Sequence, residues 1–400
     1  VAAASCFVPP EHSVKRDAGN ARQEYEAALT ALPLLLTTYF RAYNVGAGAN
    51  RRKTQRRVPN AASHAMETSV TKVQQQPKRP DSPITAKTFA DFIRETLPGC
   101  GADPLFEQRV AQIFRKFATS SSDDGGKASM SEQEFDKFRD SLLRNCVQPK
   151  SALVVVDFQN DFIDGTLSLK KCPRGENPEL LITGLNRMID LFDTVVYTFD
   201  HHPEGHISFI ECLSKRKLHS SCKVGVDTVQ VSQEVVLDIG GKPVSQRMWP
   251  RHCVQGTQGA ALHKDLKVKK DAIVVYKGTD VDVDSYSAFW DNSHTFHTDL
   301  TDKLRKHQVT NLLITGLAFD ACVCWTAADA IAEGFSTSVV RDLTCSISDD
   351  MTLEAETRLK GTHCPLISST DVNSRTISGP LPWILLWQQA VRLCGEPKGV

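Results

Sequence analysis

The side chains with chemical capacity in this 400-residue chain stand just beyond apolar runs. Asp157 follows Ala152 to Val156, and Asp200, His201, His202 and His206 follow Thr194 to Phe199. Lys277 follows Ala272 to Tyr276, and Gly316-Leu317-Ala318-Phe319-Asp320-Ala321-Cys322-Val323 follows Asn311 to Thr315. The stretch Trp249-Pro250-Arg251-His252-Cys253-Val254 lies between the second and third of these runs. Cys322 is the candidate nucleophile. It sits where a strand turns into a helix, and a helix N-terminus favours the thiolate. Lys277 supplies a cation that favours it further, while Asp157 can take the thiol proton and hand it to a leaving amine. Thiol, carboxylate and ammonium together suit acyl transfer from an amide.

Asp200, His202 and His252 form a candidate metal set. One carboxylate with imidazoles suits zinc first, and iron or manganese after it. The two-residue spacing puts Asp200 and His202 on one side of an extended segment, so both can face one ion. Three of the twelve histidines fall within Asp200 to His206, and His206 reads equally as a fourth ligand or as a partner behind the ligands.

Elements that can position these groups follow from the same runs. Ala152 to Val156 is continuous and β-branched, the pattern of a strand covered on both faces. A further strand of this kind is expected at Thr337 to Val340 and a weaker one at Pro365 to Ser368, with helices at Glu179 to Phe192, Ala321 to Glu333 and Asp349 to Lys360. Strands alternating with helices give an α/β fold, a Rossmann-like parallel sheet flanked by helices, whose functional residues gather beyond the carboxyl ends of the strands.

Residues 81–150 read differently. Phe89, Phe92 and Ile93, then Val110, Ile113, Phe114 and Phe117, then Phe135, Phe138, Leu142 and Leu143 recur at helical spacing around a Ser-, Asp- and Gly-rich loop. This small helical module resembles an EF-hand with a degenerate loop. Glu134 falls on the twelfth position and Asp123 on the first, but Gly125 and Lys127 occupy the third and fifth and Ala128 replaces the usual glycine. Calcium binding is not expected there.

The formal net charge is zero, with 47 basic and 47 acidic residues, which excludes a chain basic throughout and built to coat nucleic acid. Residues 1–80 nevertheless hold 12 basic against 5 acidic side chains. They read as a disordered basic segment whose Arg51-Arg52-Lys53 and Arg56-Arg57 clusters match a nuclear address or an organelle presequence. The chain opens on Val1, and Met66, the first methionine, is a candidate start. Twelve scattered cysteines without a C-x-x-C pair point to a reduced cytoplasmic or nuclear setting. No run of 18 apolar residues exists, so no membrane partner is expected.

Taken in order, Asp157-x-Gln159-Asn160-Asp161-Phe162, Asp200-x-His202, Trp249-Pro250-x-His252-Cys253-Val254, Lys277-Gly278 and Gly316-x-Ala318-x-Asp320-x-Cys322-Val323 resemble the nicotinamidases of the isochorismatase-like cysteine hydrolases. The module in front is similar to that of the animal members. The resemblance spans about Ser151 to Val372 and implies a hydrolase domain at 151–373 with an atypical tail at 374–400. It implies hydrolysis of nicotinamide to nicotinate and ammonia in NAD salvage. Cys322 would attack the carboxamide, Asp157 would serve as base then acid, and Lys277 would stabilise charge. The backbone N–H groups of Ala318 and Cys322 would form an oxyanion hole, beside a cis peptide before Ala318. Phe162, Trp249 and Tyr286 would wall the ring pocket, and a divalent metal, Zn2+ before Fe2+ or Mn2+, would hold the pyridine nitrogen. His201 and Phe319 depart from the family pattern. Rival readings are another amidase of the superfamily, or a calcium-responsive binding protein with an inactive hydrolase domain. Homo-oligomerisation stays open.

Overall fold

The computed structural model describes residues 77–119 and 128–394. The basic segment as far as residue 76, Met66 within it, and the loop positions Asp123, Gly125 and Lys127 lie outside the described residues. The chain forms a helical front module and a six-stranded sheet.

In the module, the two-residue strand β1 (Ile84–Thr85) leads into α1 (Ala86–Thr96), followed by α2 (Phe106–Phe117). A second short strand, β2 (Ser129–Met130), then leads into α3 (Glu132–Phe138). β1 and β2 pair antiparallel, Ile84 opposite Met130. The helical spacing of the phenylalanines is realised as an aromatic core, with ring centroids 4.9 Å apart for Phe89 and Phe138 and 5.2 Å for Phe92 and Phe135. Glu134 is buried, and its carboxylate reaches across the loop. Oε1 accepts from the Thr119 amide and hydroxyl, each at 2.7 Å, and Oε2 from the Ser131 amide at 2.8 Å and hydroxyl at 2.9 Å. Burial alone would raise this carboxyl, but those donors hold it well below the usual range. Glu134 thus caps α3 and clamps the two ends of the loop together.

The sheet starts with β3 (Ser151–Val156). Then come α4 (Ile182–Leu191), β4 (Thr194–Asp200), the hairpin strands β5 (Glu234–Ile239) and β6 (Lys242–Arg247), and β7 (Ile273–Lys277). The chain continues through α5 (Leu300–Lys306), β8 (Asn311–Leu317), α6 (Cys324–Ala332), β9 (Ser336–Cys345), α7 (Asp349–Gly361), β10 (Leu366–Ile367) and α8 (Trp383–Cys394). The order is β10-β9-β8-β3-β4-β7, every pair parallel. Ala152 to Val156 are fully buried, as a strand covered on both faces requires. This order sets the carboxyl ends of β8, β3, β4 and β7 side by side, so Cys322, Asp157, Asp200 and Lys277 leave the sheet next to one another. Gly316 makes the approach possible: its φ is +108°, and a Cβ there would lie 2.1 Å from the Val156 carbonyl oxygen.

Two features correct the sequence reading. β9 runs five residues past Val340, through Arg341 and Asp342, because these charges have local partners. Arg341 donates to the Thr344 and Ser346 hydroxyls, and Asp342 accepts from the Ser369 amide. The tail expected at 374–400 is packed in as far as it is described, since α8 completes the module's core. Trp383 packs edge-on to Phe106 at 4.8 Å and donates from Nε1 to Asp103. On its other side, β10 pairs only with Val339 and Val340. The backbone of Thr337 is taken instead by Gln388, whose Oε1 accepts from the Thr337 N–H at 2.8 Å and whose Nε2 donates to its carbonyl at 2.9 Å. The module's core therefore joins residues near the start of the described chain to its last helix.

Candidate active site

Lys277 is the centre of the site. Its side chain is fully buried and its Nζ lies 2.9 Å from Asp157 Oδ2, 3.3 Å from Cys322 Sγ and 2.9 Å from the Ser285 carbonyl oxygen. It also pairs with Asp200 Oδ1. Asp200 and Lys277 are register partners on neighbouring strands, which places these two chains together before any loop is considered. The contact with Asp157 Oδ2 is an ion pair without hydrogen-bond alignment. Burial alone would lower the lysine, but Asp157 and Asp200 outweigh it and hold the ammonium well above its ordinary value.

Asp157 adopts a positive φ of 46° at the strand end, and its Oδ1 accepts from the Thr198 hydroxyl at 2.5 Å. Its carboxyl is raised by burial, with the Asp200 charge adding to this and Lys277 and Thr198 opposing. The expectation of a depressed Cys322 thiol is not met. Burial pushes the thiol well above its usual value; Lys277 pulls it down, but the Asp157 and Asp200 carboxylates oppose that pull. The helix-end effect acts over a single turn and is outweighed. Cys322 thus stands where burial opposes the thiolate, beside a carboxylate placed to take its proton.

Asp200, His202 and His252 converge as expected. Their donor atoms lie within 4.8 Å of one another, with each Nε2 3.5 or 3.6 Å from Asp200 Oδ2. His202 Nδ1 faces the Gly278 carbonyl at 2.8 Å and His252 Nδ1 the Pro250 carbonyl at 2.7 Å. A carbonyl only accepts, so both Nδ1 atoms carry the proton and both Nε2 lone pairs are available to a metal. The set fits a divalent cation. Gly278 shapes it: φ is +61°, and a Cβ would fall 2.4 Å from His202 Cε1. Gly278→Ala is expected to push the His202 ring aside and weaken metal binding about 10- to 100-fold, read by competition with a chelator.

His206 is a partner behind the ligands. Its ring stacks on His202 at 3.9 Å, while its nitrogens face the Ser208 hydroxyl and the Val283 carbonyl. Burial, aided by the neighbouring His202, takes it down to about 3, so it stays neutral. It also groups with His202 and Asp284, but Asp284 is engaged by Gln246 and the Ser285 amide.

Two of the expected pocket residues meet each other, and the third lies against the metal set. Trp249 Nε1 donates to the Tyr286 hydroxyl at 3.0 Å, and the Phe162 ring lies 5.5 Å from His252. The peptide between Leu317 and Ala318 is cis. His201 packs on Tyr276 and Phe319 lies under the Arg341 guanidinium, so both departures face away from the reacting groups.

Several supporting residues had no assigned role in the sequence. Gln159 donates to the Asp200 carbonyl and accepts from its amide, each at 2.8 Å, which fixes the metal carboxylate. Asp161 accepts from the Cys253 amide at 2.7 Å and so anchors the loop of His252. Thr198 was detectable, since it stands two residues before Asp200 on the same face of β4.

Residues 151–371 match the model of the isochorismatase domain. The chain belongs to the isochorismatase domain family. It is 37% identical over 198 residues to a nicotinamidase of Escherichia coli, covering 48% of this chain and 82% of that one. It is 36% identical over 207 residues to a nicotinamidase of Saccharomyces cerevisiae, covering 50% and 89%. A solved nicotinamidase/pyrazinamidase structure from Acinetobacter baumanii is 35% identical, with a TM-score of 0.48 and coverage of 56% and 97%. The isochorismatase-like parallel sheet expected from the strand-end residues is the fold of this chain.

Proposed function

We propose that this chain is a nicotinamidase, hydrolysing nicotinamide to nicotinate and ammonia. The observation that carries the reading is the fourfold contact of Lys277, which joins a thiol and its base to a metal-ligand carboxylate in one buried cluster. The activity borne by the relatives named above supports the choice of amide.

Cys322 Sγ attacks the carboxamide carbon as its proton passes to Asp157. The charge that gathers on the carbonyl oxygen is met by the Ala318 and Cys322 amides. Asp157 then gives its proton to the departing nitrogen; the C–N bond breaks, ammonia leaves and a thioester remains. Water attacks the thioester as Asp157 takes its proton; the C–S bond breaks, the leaving sulfur takes that proton back from Asp157 to restore the thiol, and the acid released loses its own proton to solvent to become nicotinate. Lys277 stays protonated throughout and balances whichever carboxylate is charged. Phe162, Trp249 and Tyr286 hold the ring. Asp200, His202 and His252 would hold a divalent metal, zinc by this donor set, which would supply a Lewis acid for the pyridine nitrogen.

The deciding measurement is ammonia release from nicotinamide by the full chain, before and after chelation. Turnover with matching nicotinate, reduced by chelator and restored by zinc, is expected. Silence on nicotinamide with cleavage of a different amide would overturn the reading.

A further inference from the structure

The turn that carries Cys322 is held from outside by one carboxylate that never reaches the thiol. Asp320 stands two residues before Cys322 in the wide, π-type helical turn Phe319–Val323 and is 6% exposed. Both its oxygens accept from the Ile347 amide, at 3.0 and 2.8 Å. Oδ2 also accepts from the Ser348 amide at 3.0 Å and the Thr352 hydroxyl at 3.4 Å. These donors form the approach to α7 and its first turn, where unpaired N–H groups and the helix dipole favour an anion.

The receiving segment is itself fixed. The Ser346 amide donates to Glu176 at 2.6 Å, and the Ile347 carbonyl accepts from the Arg174 amide at 3.1 Å. The Arg341 guanidinium bonds the Ser346 hydroxyl and covers the Phe319 ring at 4.0 Å. The turn is therefore indexed to β9 and α7 as well as to its own helix. Cys322 Sγ sits 3.3 Å from Lys277 only while the turn keeps that setting.

We propose that Asp320 is a positioning residue for the nucleophile, holding Cys322 against Lys277 and Asp157 through the amides of Ile347 and Ser348. The inference rests on Cys322 being the reacting thiol. It differs from a simple helix cap, because Ser348 already caps α7 by accepting from the Met351 amide.

The test compares Asp320→Asn with Ser348→Ala in the full chain, using nicotinamide kinetics and the pH profile of Cys322 alkylation by iodoacetamide, mapped by mass spectrometry. Asp320→Asn keeps the shape but turns an amide donor toward the N–H groups. It is expected to lower kcat about 10- to 100-fold with KM within about 3-fold, the cost of a misplaced reacting atom. Its alkylation profile moves to higher pH as the thiol drifts from Lys277. Ser348→Ala keeps the backbone amide that Asp320 uses, so it lowers Tm while moving kcat and the profile less than Asp320→Asn does. Thr352→Val, which removes the hydroxyl's 3.4 Å contact with Asp320 together with its 2.7 Å bond to the Ser348 carbonyl, serves if Asp320→Asn does not fold, and is expected to shift both readouts in the same direction by less. If the Asp320 variant, or Thr352→Val in its place, loses only Tm, the positioning role is refuted. Alkylation needs no substrate, so a parent chain silent on nicotinamide would refute the functional reading while the profile still decides this one.

Discussion

Alanine in place of Cys322 leaves a folded chain that releases ammonia from nicotinamide at least about 10³-fold more slowly, because no other group near the carboxamide can form the acyl intermediate. The fold should tolerate the change. Cys322 is buried, but the thiol forms no part of a strand ladder, and its loss removes one atom from a turn held by Asp320. Asp157→Asn is expected to follow at about 10²- to 10⁴-fold, the usual worth of a general base. The pH dependence separates these two roles. Asp157 is raised above 3.8 by burial and by Asp200, so it becomes protonated at a higher pH than an ordinary aspartate. A protonated Asp157 cannot take the thiol proton, so kcat/KM falls as pH drops through that raised value. The same raised value means that ionised Asp157 costs stability in the folded state, so its contribution to stability is fully present below the ordinary aspartate value and is lost as pH rises through the raised one. An acid limb at or below the ordinary aspartate value would contradict the site electrostatics described here.

The site was legible because its residues stand at strand ends, and strand ends can be read from where continuous β-branched runs stop. Ala152 to Val156 announces β3, and Asp157 follows at once. What local pattern does not carry is lateral order. That β7 lies beside β4, bringing Lys277 to Asp200, depends on crossovers many residues long. The balance acting on the Cys322 thiol was hidden for a related reason: a helix-end effect can be read from adjacent residues, whereas burial and two carboxylates arriving from β3 and β4 cannot. The hairpin β5–β6 was missed although Gly240-Gly241 signals it; both glycines have positive φ. It matters to the site through Gln246, which donates to Asp284 at 2.8 Å.

The C-terminal helix was the least legible element, and it carries the largest expected effect on stability. Trp383 to Trp387 reads as an apolar run without a stated partner, because its partners are Phe106 and Arg109 far back in the chain. Trp387 is fully buried, with the Arg109 guanidinium 5.3 Å over its ring and His363 edge-on at 6.1 Å. One face thus touches the module and the other the α7–β10 connection. Trp387→Ala is expected to cost about 3–5 kcal/mol, the range for emptying a buried aromatic site. Its Nε1 has no hydrogen-bond partner, so the loss is one of packing. Catalysis should be spared, since α8 meets β9 at Thr337, near the amino end of the strand, while Cys322, Asp157 and Lys277 stand beyond the carboxyl ends. Thermal unfolding and ammonia release on the same preparation check both halves. A lowered Tm with kcat within about 2-fold of the parent marks α8 as a structural clasp. An unchanged Tm would mean that the module does not depend on α8, and a large fall in kcat at unchanged KM would mean that the clasp reaches the nucleophile turn through β9.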